Sequence, residues 1–217
     1  MKVVVIARRS VASSMTGQAV AEQGFSLVEF LVSSLIVLVI GASVFGLLSN
    51  TQRTASYQTE VQGVLENTRL AMESVERILQ QAGNDPLHAG FSGITVTSAT
   101  EVRVRSDLTG SAGPGFPDKG DPDGDTDDAN EDVTIRFNAN AQSIELIPAG
   151  GTAQPIASNI STFTMQYFDG NGAATNTGND VRRIRFSLTG TSPFPDPQTH
   201  RVFSMQLSSD VQLAARQ

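Results

Sequence analysis

The strongest pattern in the chain is an unbroken apolar run from Phe25 to Leu48, FSLVEFLVSSLIVLVIGASVFGLL, whose only charged side chain is Glu29. At about 1.5 Å rise per residue, residues 25–48 in a helix would span about 36 Å, enough to cross a hydrocarbon core of about 30 Å. Beyond this run the period changes. Val61, Val64, Leu65, Ala71, Met72, Val75, Ile78, Leu79 and Ala82 recur at three-to-four spacing, while Glu60, Glu66, Arg69, Glu73, Glu76 and Arg77 take the other faces. That spacing predicts an amphipathic helix. No proline interrupts Phe25 to Gln81, and Gly83-Asn84-Asp85-Pro86 places glycine and proline where helices stop. The pattern therefore predicts one helix in two halves, a membrane-competent half over 25–48 and an amphipathic half over 49–83.

From 84 to 217 the pattern is that of a β-rich head. Short runs bounded by turn residues predict strands at Ile94–Thr97, Glu101–Arg105, Val133–Phe137, Ile144–Ile147, Phe163–Phe168, Val181–Leu188 and Val202–Leu207. Asn138-Ala139-Asn140-Ala141 and Asp169-Gly170-Asn171-Gly172 read as hairpin turns. One long helix with several antiparallel strands defines an α+β class.

Composition narrows the function. A chain of 217 residues accommodates one domain with an extension. With no cysteine, disulfides, thiolate metal sites and cysteine nucleophiles are excluded. Only His88 and His200 can titrate near neutrality as unperturbed side chains, and G-x-S-x-G, H-E-x-x-H, the P-loop and G-x-G-x-x-G are absent. No enzyme is expected. The formal net charge of −7 argues against a broad nucleic-acid surface, with Arg182, Arg183 and Arg185 as the one basic strip.

Lys2, Arg8 and Arg9 precede the apolar run, so residues 1–24 should stay cytoplasmic and the head should be exported. An ordinary cleaved signal fails on order, because the A-x-A match at Ala19-Val20-Ala21 lies before the apolar run. A plain signal anchor leaves Glu29 unexplained, since a carboxylate within such a span costs about 2.5–3.5 kcal/mol on insertion scales.

The stretch Gly24-Phe25-Ser26-Leu27-Val28-Glu29 resembles the prepilin peptidase signature of type IV pilins and type II secretion pseudopilins. The resemblance implies a leader over 1–24, cleavage between Gly24 and Phe25, N-methylation of Phe25, and an assembly role for Glu29. Asn67-Thr68-Arg69-Leu70-Ala71-Met72 and Ile78-Leu79-Gln80-Gln81-Ala82-Gly83 are similar to the corresponding helix of PilW-type minor pilins, relatives of J-type pseudopilins. The head segments 162–172 and 181–186 are similar to PilW heads. Met15 is an alternative start, giving a ten-residue leader without Lys or Arg.

The implied function is that of a minor pilin helping to initiate or cap a type IV pilus. Its implied partners are other pilins, the prepilin peptidase and an inner-membrane assembly platform. The alternatives are a secretion pseudopilin and a tip adhesin or DNA-binding module. The expected course is a single pass through the inner membrane with a periplasmic head, then the pilus surface.

One head segment carries ion chemistry. Residues 118–132 are strongly acidic, and Asp121, Asp123, Asp125 and Asp127 alternate, with Asp132 where an EF-hand would put its bidentate acid. The EF-hand glycine is out of place, at Gly124, with Thr126 in its position. The segment resembles the looser D-x-D-x-D calcium loops of extracellular proteins. No cofactor is required; a structural Ca²⁺ on these five aspartates is the expectation, against a simply solvated loop.

Overall fold

The computed structural model describes residues 24–110 and 121–213. The leader up to residue 23, with Met15, and the acidic positions 118–120 lie outside the described residues. Helix α1 runs Leu27–Gln81, and the strands are β1 Ile94–Val96, β2 Glu101–Arg105, β3 Asp132–Asn138, β4 Ser143–Pro148, β5 Gln154–Ala157, β6 Ile160–Phe168, β7 Arg183–Thr191 and β8 Ser204–Gln212. A short 3₁₀ turn covers Gly178–Asp180. The fold is α+β, as the periodicities predict.

The chain divides into two units between Ser49 and Asn50. In the first, the described side chains from Phe25 to Leu48 are exposed, including Phe25, Leu31, Leu38 and Phe45. Ser34 and Ser43 donate their hydroxyls to the carbonyls of Leu31 and Val39, at 2.9 and 2.8 Å. Those polar groups are thus satisfied within the helix itself, as an apolar surrounding requires.

In the second unit two antiparallel meanders, β1-β2-β3-β4-β5 and β6-β7-β8, cover one face of α1. That face is Val64, Thr68, Ala71, Met72, Val75 and Leu79. Ile94, Val102, Val104, Ile135 and Ile144 meet it from the first sheet, and Phe163, Met165, Ile184, Phe186 and Leu188 from the second. The core is continuous across both sheets. The helix ends at Gly83, whose φ of 74° suits a residue without Cβ, and whose N–H donates to the Arg105 carbonyl at 2.8 Å.

Thr68 is wholly buried and donates its hydroxyl to the Val64 carbonyl at 2.6 Å. Gly190 of β7 crosses directly over it: a Cβ at Gly190 would lie 2.0 Å from Thr68 Oγ1. Farther along α1, the segment before β8 reaches back to the helix. Phe194 N–H donates to Glu60 at 3.2 Å, and Gln198 reaches the Thr54 hydroxyl at 3.5 Å. Ser209 of β8 also donates to Glu76.

The observed strands depart from the predicted set in four places, one being β7, which runs Arg183–Thr191 where Val181–Leu188 is predicted. β5 was not predicted, β8 lies toward the C-terminus of the predicted Val202–Leu207, and β6 starts at Ile160, before the predicted Phe163.

Candidate functional sites

At the start of α1, Ser26 stands just before the first helical residue and Glu29 in the first turn. The Ser26 N–H points to Glu29 Oε2 at 3.5 Å, and the Phe30 N–H donates to the Ser26 carbonyl at 3.1 Å. Ser-x-x-Glu in this position is a capping-box sequence, and a carboxylate there also faces the positive end of the helix. The S-x-x-E spacing of Ser26 and Glu29 is the sequence signal for this cap. Gly24 and Phe25 precede the helix in open backbone, and Phe25 is exposed. Among the described residues, α1 is the one helix long and apolar enough to cross a membrane.

The acidic segment has an outer and an inner side. Asp121, Asp123, Asp125 and Asp127 are all exposed, in a segment that bends at residues 124, 126 and 128. Asp123 Oδ1 accepts the Asp125 N–H, and Asp125 Oδ1 accepts the Asp127 N–H, at 3.3 and 3.1 Å. A side-chain hydrogen bond with Asp125 raises the pKa of Asp127, as expected for neighbouring carboxylates. Asp132 points elsewhere: it is nearly buried on β3 and pairs with Arg103 of β2, whose Nε lies 2.6 Å from Oδ1. The structure therefore does not gather the five aspartates at one point. Among the described residues, no group of three or more acidic or histidine side chains is arranged to hold a metal ion.

On the inner side stand two further acids, outside the alternating set. Asp107 and Glu131 are fully buried. Asp107 accepts the N–H groups of Asp123 and Gly124 at 3.2 and 2.9 Å. Glu131 Oε1 accepts the N–H groups of Leu108 and Thr109 at 2.7 and 2.6 Å, plus the Thr109 hydroxyl at 3.3 Å. Glu131 Oε2 is equally buried and receives no hydrogen bond. No motif marks these residues; they stand 24 positions apart in sequence, separated by the acidic segment itself.

The basic strip is largely compensated. Arg182 donates to the carbonyls of Asn179 and Val181, at 2.8 and 3.1 Å. Arg185 forms a bidentate pair with Asp210 across β7 and β8, which raises the arginine pKa and lowers that of Asp210. Arg183 lies over the Phe168 ring at 4.4 Å. His88 and His200 sit in turns at opposite ends of the sequence of the head, both with positive φ. A cavity of about 450 Å³ lies between α1 and the first sheet, where Arg77 is its one titratable side chain beside Ile78, Val104 and Leu146. No acid–base pair faces it.

No protein-family model and no curated protein matches the chain.

Proposed function

We propose that this protein is a minor pilin of a type IV pilus, anchored by 25–48 in the inner membrane and later packed by the same helix into the filament. The observation that supports this reading most is the character of α1. Its first half exposes apolar side chains along its length and carries one carboxylate, Glu29, while its second half is the core helix of a β-rich head. A large exposed apolar surface needs lipid or a partner to cover it. A lone carboxylate within it needs a positive neighbour, and the amine freed by cleavage after Gly24 on an adjacent subunit supplies one.

In this reading the head is a scaffold piece that turns over no substrate. Prepilin peptidase trims the leader, the inner-membrane platform feeds the subunit, and other pilins are its packing partners. The compensated arginines favour this scaffold reading over nucleic-acid binding.

The test is Glu29→Gln, which keeps size and removes charge. The variant should enter the membrane, be processed to an N-methylated Phe25 seen by intact mass, and be missing from sheared pili. Normal levels of Glu29→Gln in sheared pili would remove the assembly role. An unprocessed N-terminus in cells with active peptidase would remove the pilin reading altogether.

A further inference from the structure

We infer that the inner side of the acidic segment holds a divalent cation, Ca²⁺ by its chemistry, on Glu131 Oε2 with Asp107 as the second acid. The inference concerns the head alone and stands whichever assembly the chain serves. Asp107 and Glu131 are both fully buried, and all their hydrogen bonds come from neutral groups. Among the described residues neither is ion-paired. Buried charges elsewhere are paired or bound to metal, because leaving a carboxylate without compensation in a protein interior is expensive.

Glu131 carries the independent sign. One of its oxygens takes three donors, whereas Oε2, as deeply buried, takes none. A carboxylate oxygen in that position lacks a positive partner. The two acids are also held together: Glu131 Oε1 grips the N–H groups of Leu108 and Thr109, the residues that follow Asp107. Asp107 in turn grips Asp123 and Gly124, and the Glu131 N–H donates to the Asp128 carbonyl at 3.3 Å. The acidic segment is thus bonded to Asp107 at one end and leads into Glu131 at the other.

The donors available are oxygens, with no thiolate in the chain, which selects a hard cation. Calcium accepts irregular shells completed by backbone carbonyls and water, so two carboxylates suffice and no trio of acids is needed. The exposed aspartates at 121, 123, 125 and 127 serve this site only as a negative field that concentrates cations.

The test uses the full chain in detergent, stripped with EDTA and titrated with calcium chloride by calorimetry, with melting followed by circular dichroism. One Ca²⁺ should bind per chain with a dissociation constant of ~10⁻⁴–10⁻³ M or tighter, and the melting temperature should rise with calcium. Glu131→Gln, whose amide oxygen can still accept from Leu108 and Thr109, should weaken binding at least about tenfold, as loss of even a supporting metal contact does. Asp107→Asn provides the same reading if Glu131→Gln fails to fold. Replacing Asp121, Asp125 and Asp127 together by Asn should leave stoichiometry intact, with a much smaller loss of affinity than Glu131→Gln. Absence of heat and of any melting shift in the wild type at millimolar calcium overturns the inference. So does binding that survives Glu131→Gln but vanishes in the triple variant, which would move the ion to the outer aspartates.

Discussion

Gly190→Ala tests whether the crossing of β7 over α1 is as close as described. In an ordinary strand this change should stabilise by about 0.4–1 kcal/mol, because alanine restricts the unfolded chain more than glycine does. Gly190 has no positive φ that would forbid alanine. Here, however, the added Cβ would fall 2.0 Å from Thr68 Oγ1, 3.2 Å from its Cβ and 3.3 Å from its Cγ2. Thr68 cannot simply swing away, being fully buried and bonded to the Val64 carbonyl at 2.6 Å. Overpacking of this kind costs ~1–3 kcal/mol, which outweighs the entropic gain. For a domain of this size the melting temperature should drop by about 2–12 °C. Thr68→Ala alone loses a buried methyl and should cost about 1 kcal/mol. In the double variant the nearest clash is gone, so Gly190→Ala on a Thr68→Ala background should cost less than on wild type, by ~0.5–3 kcal/mol. The assay is urea unfolding of the four proteins followed by circular dichroism. A stabilised Gly190→Ala, or strict additivity of the two changes, would refute the contact.

Two further outcomes follow from ion pairs in the head. Arg103→Met leaves Asp132 on β3 nearly buried without its bidentate partner, so unfolding in urea should show a loss of ~1–3 kcal/mol, mostly restored by adding Asp132→Asn. Acid should destabilise the head. Arg136 and Asn138 lower the pKa of Glu145, Arg185 lowers that of Asp210, and the Gly90 and Gln198 N–H groups lower those of Asp85 and Asp196. Groups with depressed folded values contribute above their ordinary values of 4.5 and 3.8, and that contribution disappears as pH falls through the folded values. Asp127, with its raised value, works in the opposite direction and is relieved by acid. Melting temperature should therefore be flat from neutrality to about pH 5 and fall below it; a rise on acidification to pH 3 would contradict the four assignments.

The helix was legible because its signals are local: the change of period after Leu48, the missing prolines and the Gly-Asn-Asp-Pro stop. Thr68 escaped the predicted stripe because a threonine reads as polar, although its hydroxyl is satisfied within the helix and its methyl lies in the core. β5 escaped because it is short, contains Pro155 and lies at a sheet edge, where the missing N–H is tolerated. β8 was displaced because Ser208-Ser209-Asp210 looks like a loop, whereas in place Asp210 answers Arg185 and Ser209 answers Glu76. The partition into two sheets depends on long-range register that no local pattern encodes. Alternating aspartates invite a reading as converging ligands, yet the segment bends so that Asp121, Asp123, Asp125 and Asp127 face solvent, while Asp132 is drawn to Arg103. The buried acids Asp107 and Glu131 have no sequence signature because only the fold brings them near each other.

The contacts of the 192–203 segment with α1 have a temporal side. Glu60 and Phe194 are 134 residues apart in the chain. At ~5–20 residues per second, roughly 7–27 s separate the synthesis of the two. The first sheet and β6 are made within that interval, but β7 comes only at its end, and Val211 and Leu213, which complete the core from β8 and just beyond it, are made later still. The head is consequently a late folder. Until its final described strand arrives, β7 keeps one edge unpaired and the core stays open at that end, a state exposed to aggregation.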